Sequence, residues 1–336
     1  MAEALHNDDW YHARLEPPRR RCRVVIDTDA ANEIDDQFAL AWALLSPNQM
    51  DVVAIYATPF SFAHRRASLL HAPQDAAPFN PPGIGMERSY DEILKVCELL
   101  GVPGEGRVWR GSEGYLPAAG QAQHSAAVDH LIATARASAA DDPLYVLALG
   151  CVTNIASALL LAPDIIDKLV VVWTSGYPSH APHVNHSFNL EQDLAASQCL
   201  LDSGVPLVYL PGYHVGAQLR LSLAEMERYV RGRGPIGEYL CQLFTHNPLW
   251  SILGKDGAQP HSWVIWDLIN IAWMLEPDWV PSHLVRTPVL DARRRWQPQA
   301  GRHRMREGYG VERDAIFNDF FAKLELHALN LKKRRQ

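Results

Sequence analysis

Between residues 24 and 45 the chain passes from an apolar run, Val24-Val25-Ile26, into Asp27-Thr28-Asp29. A short loop containing Glu33 follows, and then Asp35-Asp36 at the head of a second apolar run. The first run reads as a buried strand. In the second, Ile34, Phe38, Ala41, Trp42 and Leu45 recur at helical spacing until Ser46-Pro47-Asn48 ends it. Five carboxylates therefore crowd into ten residues at a strand-to-helix junction. Like charges a few Å apart raise one another's pKa and oppose folding unless a cation or shared proton offsets them. The carboxyl ends of strands are also where open α/β sheets bind ligands. A hard, oxygen-seeking cation is the partner this stretch calls for.

The rest of the chain repeats the same alternation. Residues 51–58 read as a second strand, so the first crossover closes a parallel, right-handed unit. Residues 59–89 hold five prolines and scattered His and Arg, a long loop of the kind that serves as a lid or binding loop. Helices are expected near 90–100, 125–139 and 194–201, and strands at 107–109, 144–149, 168–174 and 206–210. The last third is mostly helical (223–230, 235–244, 266–275, 314–331), with a strand near 284–290 and an Arg-rich segment that has no evident assignment. This pattern predicts an α/β fold, Rossmann-like, with a mainly parallel sheet covered by helices on both faces and a helical C-terminal part. Residues 1–22 are expected to form an arm over the surface, and 23–331 a single domain.

Bulk properties narrow the function. A net charge of -7 argues against nucleic-acid binding, which needs a basic face. The basic runs at 19–23 and 332–335 read as solvated tails. Five scattered cysteines without a Cys-x-x-Cys pair point to reduced thiols and, with no apolar leader, to the cytoplasm. No run of 18 apolar residues predicts a membrane span.

Asp27 and Asp29, two apart on a strand, are expected to share a face. Asp35 and Asp36 lie about 100° apart around a helix, so one can ligate a metal while the other faces a substrate. Equally, acidic residues at a helix start complement its dipole. Asp267 sits within the apolar run 263–271, where an unpaired carboxylate is costly; a metal would remove that cost, as would a capping role at the next helix. Trp266 can stack on a planar group or pack in the core.

Taken in order, these residues resemble the nucleoside hydrolase family of the inosine-uridine-preferring type. Asp27-Thr28-Asp29 and Asp35-Asp36 resemble its opening acidic motif. Leu149 to Ala156, with Val152-Thr153-Asn154, is similar to its Leu-Thr-Asn turn; Phe188-Asn189 matches its Phe-Asn segment, and Trp266-Asp267 stands where it carries His-Asp. The resemblance covers about residues 23–280. It implies a Ca²⁺-dependent hydrolase that cleaves the N-glycosidic bond of a ribonucleoside or related riboside. The implied metal ligands are Asp29, Asp36, Asp267 and the backbone carbonyl of Leu149, with Asp29 also the base for the attacking water. Asp35 and Asn189 would hold ribose hydroxyls, Trp266 would meet the aglycone, and Asp27 would support the site from behind. The resemblance also implies a homodimer or homotetramer.

Several positions depart from the family pattern. The loop from Asp29 to Asp35 is two residues longer and lacks Pro-Gly, an expected Asn is replaced near Ser61, and Ser187 stands for a Glu. Trp266 replaces the His that helps protonate a departing base. His180, His183, His186, His246 and His261 are candidates for the missing acid, or exposed loop residues. His180-x-x-His183-x-x-His186 is also a weak zinc pattern. Two alternatives stay open: a non-catalytic sugar or nucleoside binder on the same fold, and a phosphatase of the haloacid-dehalogenase type using Asp27.

Overall fold

The computed structural model describes residues 5–72, 77–117, 120–139, 141–255 and 261–334. Residues 1–4 of the expected arm, 73–76 of the long loop and Arg335 of the basic tail lie outside the described residues. The strands of the main sheet are β1 Cys22–Thr28, β2 Met50–Ala57, β3 Val108–Arg110, β4 Leu144–Ala148, β5 Leu169–Ser175, β6 Leu207–Pro211, β7 Ser282–Arg286 and β8 Arg304–Gly308. They lie in the order β3-β2-β1-β4-β5-β6-β8-β7. Every pairing is parallel except β7 with β8. The chain runs outward from β1 to β2 and β3, then returns to place β4 on the other side of β1. That reversal makes the β1/β4 boundary a topological switch point, where a crevice opens beyond the carboxyl ends of the strands.

The longer helices are α1 Asp8–Arg14, α2 Asp35–Leu44, α3 Pro82–Leu100, α4 Ala126–Arg136, α5 Thr153–Leu161, α6 Leu194–Asp202, α7 Gly234–Thr245, α8 Leu268–Leu275 and α9 Arg313–Arg334. Side chains alternate across a strand, and β1 sends Val24 and Ile26 into one core and Val25 into the other. The first core packs against α2, α3, α7, α8 and α9; the second against α4, α5 and α6. Helices on both faces of a mainly parallel sheet are what the β/α alternation predicts. Helix α2 is buried on all sides, from Asp35 to Ala43, so it brings two carboxylates into the interior with it.

Three segments depart from their sequence-based expectation. Helix α3 begins at Pro82, well inside the stretch expected to be loop. Proline is tolerated at a first helical turn, and Gly85 lets the helix approach closely: an added Cβ would lie 2.1 Å from the Phe60 carbonyl oxygen. The unassigned Arg-rich segment supplies β8, inserted beside β6. Its charges disguise a strand because their partners are remote: Arg306 Nε donates to the Leu15 carbonyl at 2.5 Å, and Glu307 accepts from the Ser179 amide at 2.6 Å. The N-terminal segment is more than a polar arm. Asn7 caps α1 by accepting from the Trp10 amide at 2.9 Å, Tyr11 and Leu15 are fully buried, and the Tyr11 hydroxyl donates to Gly204. No described helix is long and apolar enough to cross a membrane.

Candidate active site

The cavity at the switch point encloses about 620 Å³ including its open mouth. Its wall is built from strand ends and helix starts. Asp29 follows β1, Leu149 follows β4, Thr174 and Ser175 end β5, and Gly212 and Tyr213 follow β6. Asp35 and Asp36 open α2, Asp267 precedes α8, Arg65 ends a short 3-10 helix (Ala63–Arg65), and Phe188 and Asn189 open a single helical turn (Phe188–Glu191).

Local interactions fix the acidic side chains. Asp29 begins a tight turn in which the Asn32 amide donates to its carbonyl at 2.7 Å and Asn32 Nδ2 to its carboxylate at 3.1 Å. Only a glycine fits at 150, where a Cβ would stand 2.6 Å from Thr58 Oγ1 and 2.8 Å from Asp29 Oδ1. The Thr28 hydroxyl donates to Asp36. Asp267 occupies the N-cap position of α8, yet its side chain caps nothing. It turns into the cavity instead, which decides against the capping alternative. Asn270, one turn later, donates to the carbonyls of Ala148 and Val172 at 3.2 and 2.9 Å and so ties α8 to the end of β4 and the middle of β5.

Burial is the main force on these acids. It raises Asp29, Asp35 and Asp267 well above the ordinary carboxylate range. Asp36 adds to the shift of Asp29, Glu33 and Asp36 to that of Asp35, and Asp35 and Asp36 to that of Asp267. Burial likewise lifts Asp36 to about 6 despite the Thr28 hydrogen bond, and Glu33 to about 7. Oxygens of Asp35, Asp36 and Asp267 lie within 4.8 Å of one another, the one such group among the described residues. Three carboxylates this close, all hard oxygen donors and at most 4% exposed, fit a hard divalent cation. Asp29 lines the same cavity without belonging to that tightest group.

The other anticipated residues divide in two. Asn189 donates from Nδ2 to the carbonyl oxygen of Leu149, so these two meet at the cavity floor. Trp266 stands half-buried in the wall, edge-on to Tyr213 at 6.0 Å between ring centroids; it is a cavity residue rather than core packing. Asp27 lies one layer behind and does not reach the cavity. Its carboxylate accepts from Asn154 Nδ2 at 2.9 Å and burial raises it to about 7. That position suits a supporting role and not the nucleophile of an aspartyl-phosphate mechanism. Asn154 also accepts from the amide and hydroxyl of Ser112 at 2.8 and 2.9 Å. Thr153 donates to Asp193 at 2.6 Å, so the Thr-Asn pair braces loops behind the site.

None of His180, His183, His186, His246 and His261 lines the cavity, and the three closely spaced loop histidines do not gather as a metal group. Ser61 turns away to accept from the Ala63 amide, while Ser187 faces the cavity and meets Ser175 Oγ at 2.9 Å. Arg65 and Tyr213 were not anticipated. Tyr213 follows a parallel strand just as Leu149 does, so the rule that strand ends carry sites points to it. Nothing local distinguishes Arg65 from the other basic residues of its loop.

The inosine-uridine preferring nucleoside hydrolase profile matches residues 24–312. The chain belongs to this family. Over 170 residues it is 28% identical to the pyrimidine-specific ribonucleoside hydrolase RihB of Escherichia coli, an alignment covering 49% of this chain and 52% of that protein. The chain thus spans about half the length of the curated relatives it matches. Among solved structures, the purine-preferring ribonucleoside hydrolase of Gardnerella vaginalis aligns over 91% of this nucleoside hydrolase family member and 99% of its own chain, with TM-score 0.68 and 20% identity. The type III effector XopQ, solved with adenosine diphosphate ribose, aligns over 95% and 98% with TM-score 0.59 and 16% identity. At these identities the structural likeness establishes the fold.

Proposed function

We propose that this protein is a Ca²⁺-dependent N-ribohydrolase: water adds to C1 of a riboside, the C1–N bond breaks, and ribose and a protonated base leave. The observation that carries this reading is the convergence of Asp29, Asp35 and Asp36, from one stretch of chain, and the distant Asp267 on one cavity at the switch point. Asp29, Asp36, Asp267 and the Leu149 carbonyl would hold the cation. When bound, Ca²⁺ would lower the pKa of water and template vicinal sugar hydroxyls. Asp29 takes the proton from the attacking water. Asp35 and Asn189 orient the ribose hydroxyls, and the acidic wall favours the positive charge that develops at C1. Trp266 and Tyr213 form the aromatic side against which a planar aglycone stacks.

RihB is named for pyrimidine ribosides and the G. vaginalis enzyme for purine ones, so the assay runs both classes beside a riboside with an activated leaving group. Free ribose should appear with wild type and Ca²⁺. Asp29→Asn should lower kcat by about 10²- to 10⁴-fold. Replacement of the family's His by Trp266 favours a second reading, a riboside-binding protein without turnover. Tight Ca²⁺-dependent binding with no ribose released from any substrate would establish that reading instead. Activity and melting temperature both unmoved by chelation would remove calcium from the proposal.

A further inference from the structure

The acidic cavity has a basic rim. Arg65 is its one cationic lining residue among the described residues. It is held rigidly: Nε donates to Glu191, Nη2 donates to the His186 carbonyl at 2.6 Å, and the guanidinium lies 5.1 Å from the centroid of the Phe188 ring. The Glu191 side chain is only 4% exposed and also receives Arg294, with His64 at 3.2 Å and His186 at 3.6 Å. A buried carboxylate needs one cation to balance it. Here two arginines converge on one, so Glu191 offsets only one of them; the Arg65 charge also acts on Glu33, which burial nonetheless lifts to about 7.

Arg294 reaches this cluster from an unusual backbone. Its φ of +60° is left-handed, and the Asn185 amide and side chain clamp its carbonyl at 2.8 and 3.1 Å. Such strain in a non-glycine residue persists where the surroundings hold it, typically beside a ligand site. The other non-glycine residue with positive φ among the described residues, His214, directly follows the cavity residue Tyr213.

We propose that Arg65, anchored by Glu191 and backed by Arg294, binds a phosphoryl group carried by the riboside, so that the site prefers 5-phosphorylated ribosides to free nucleosides. This rests on the ribohydrolase reading above. With the 2- and 3-hydroxyls held at the acidic floor and C1 joined to the aglycone, the 5-position is the ribose substituent left to meet the rim. Arginine suits it, because its fork presents parallel N–H donors to phosphate oxygens. The acidic floor would repel a phosphate, so the floor and rim together fix the direction in which the sugar enters.

The test measures binding of ribose and of ribose 5-phosphate, with and without Ca²⁺, by calorimetry. In wild type, ribose 5-phosphate should bind at least about tenfold more tightly. Arg65→Met removes the cavity cation while Arg294 keeps Glu191 balanced, and should bring the ratio of the two affinities close to one. Arg65→Lys, which keeps charge but loses the fork, should retain part of it. A wild-type ratio near one, or a ratio unchanged in Arg65→Met, overturns the proposal. If ribose binds with Ca²⁺ but the phosphate adds nothing, only this inference falls. If neither sugar binds, the ribohydrolase reading falls with it. Inorganic phosphate competing equally well against both sugars would mark a general anion site and also overturn it.

Discussion

Asp36→Asn separates a carboxylate retained for a cation from one that merely supports the fold. In the folded chain burial raises Asp36 from 3.8 to about 6. At pH above 6, ionising it in the absence of a cation costs roughly 3 kcal/mol, since each tenfold change in proton affinity is worth about 1.4 kcal/mol. Asparagine has the same shape and still accepts from the Thr28 hydroxyl, so it removes the charge without opening a cavity. Calcium-free Asp36→Asn should therefore melt above calcium-free wild type, by roughly 3–6 °C for a gain of that size. Calcium should reverse the order. A ligand at a hundredfold excess over its Kd adds about 2.7 kcal/mol to the state that binds it, and the variant has lost a ligand oxygen with its charge. The pH dependence has a definite sign. A carboxylate with a raised folded pKa binds its proton more tightly in the folded chain, so calcium-free wild type should lose stability relative to the variant as pH rises from about 4 through 6. Calorimetric melting in chelator and in calcium, from pH 4 to 8, reads all of this. A variant that melts below wild type in chelator, or that calcium stabilises as much as wild type, would refute the reasoning.

Other perturbations follow from the same geometry. Gly150→Ala places a methyl 2.6 Å from Thr58 Oγ1 and 2.8 Å from Asp29 Oδ1 and should both reduce riboside hydrolysis at least about tenfold and lower the melting temperature, measured by ribose release and calorimetry together. Asn154→Ala strips hydrogen bonds from Asp27 and Ser112 deep in the protein and should cost about 2–4 kcal/mol in urea unfolding. Burial alone would raise Glu191, but the His64 hydrogen bond and the Arg65 charge outweigh it and bring it down to about 2. Its depressed pKa contributes stability above about pH 4.5 that should vanish as pH falls toward 2, and Glu191→Gln should remove that part of the acid dependence in a pH-melt series.

Local chemistry determined a large part of this protein. The apolar strands, the helical spacing after Asp35 and the regular β/α alternation are properties of short windows, and they prescribe a parallel sheet covered on both faces. The five crowded carboxylates announced a site because their repulsion is visible in one stretch of chain. Asp267 was legible for the same reason, a charge standing in an apolar run. What depended on distant segments was decided only by tertiary structure. Strand β8 has no evident assignment until Leu15 and Ser179 satisfy its charges, and α3 hides behind prolines and glycines, of which Gly85 lets it approach Phe60. The choice between capping and converging at Asp267 needed the position of α8 against the sheet. The basic rim draws on residues 64–65, 186–191 and 294, so neither composition nor spacing could join Arg65 and Arg294 to one buried glutamate. Sequence specifies which groups a site contains when they are neighbours in the chain; when they are brought together by the crossing of separate loops, only the fold can say which charge faces which.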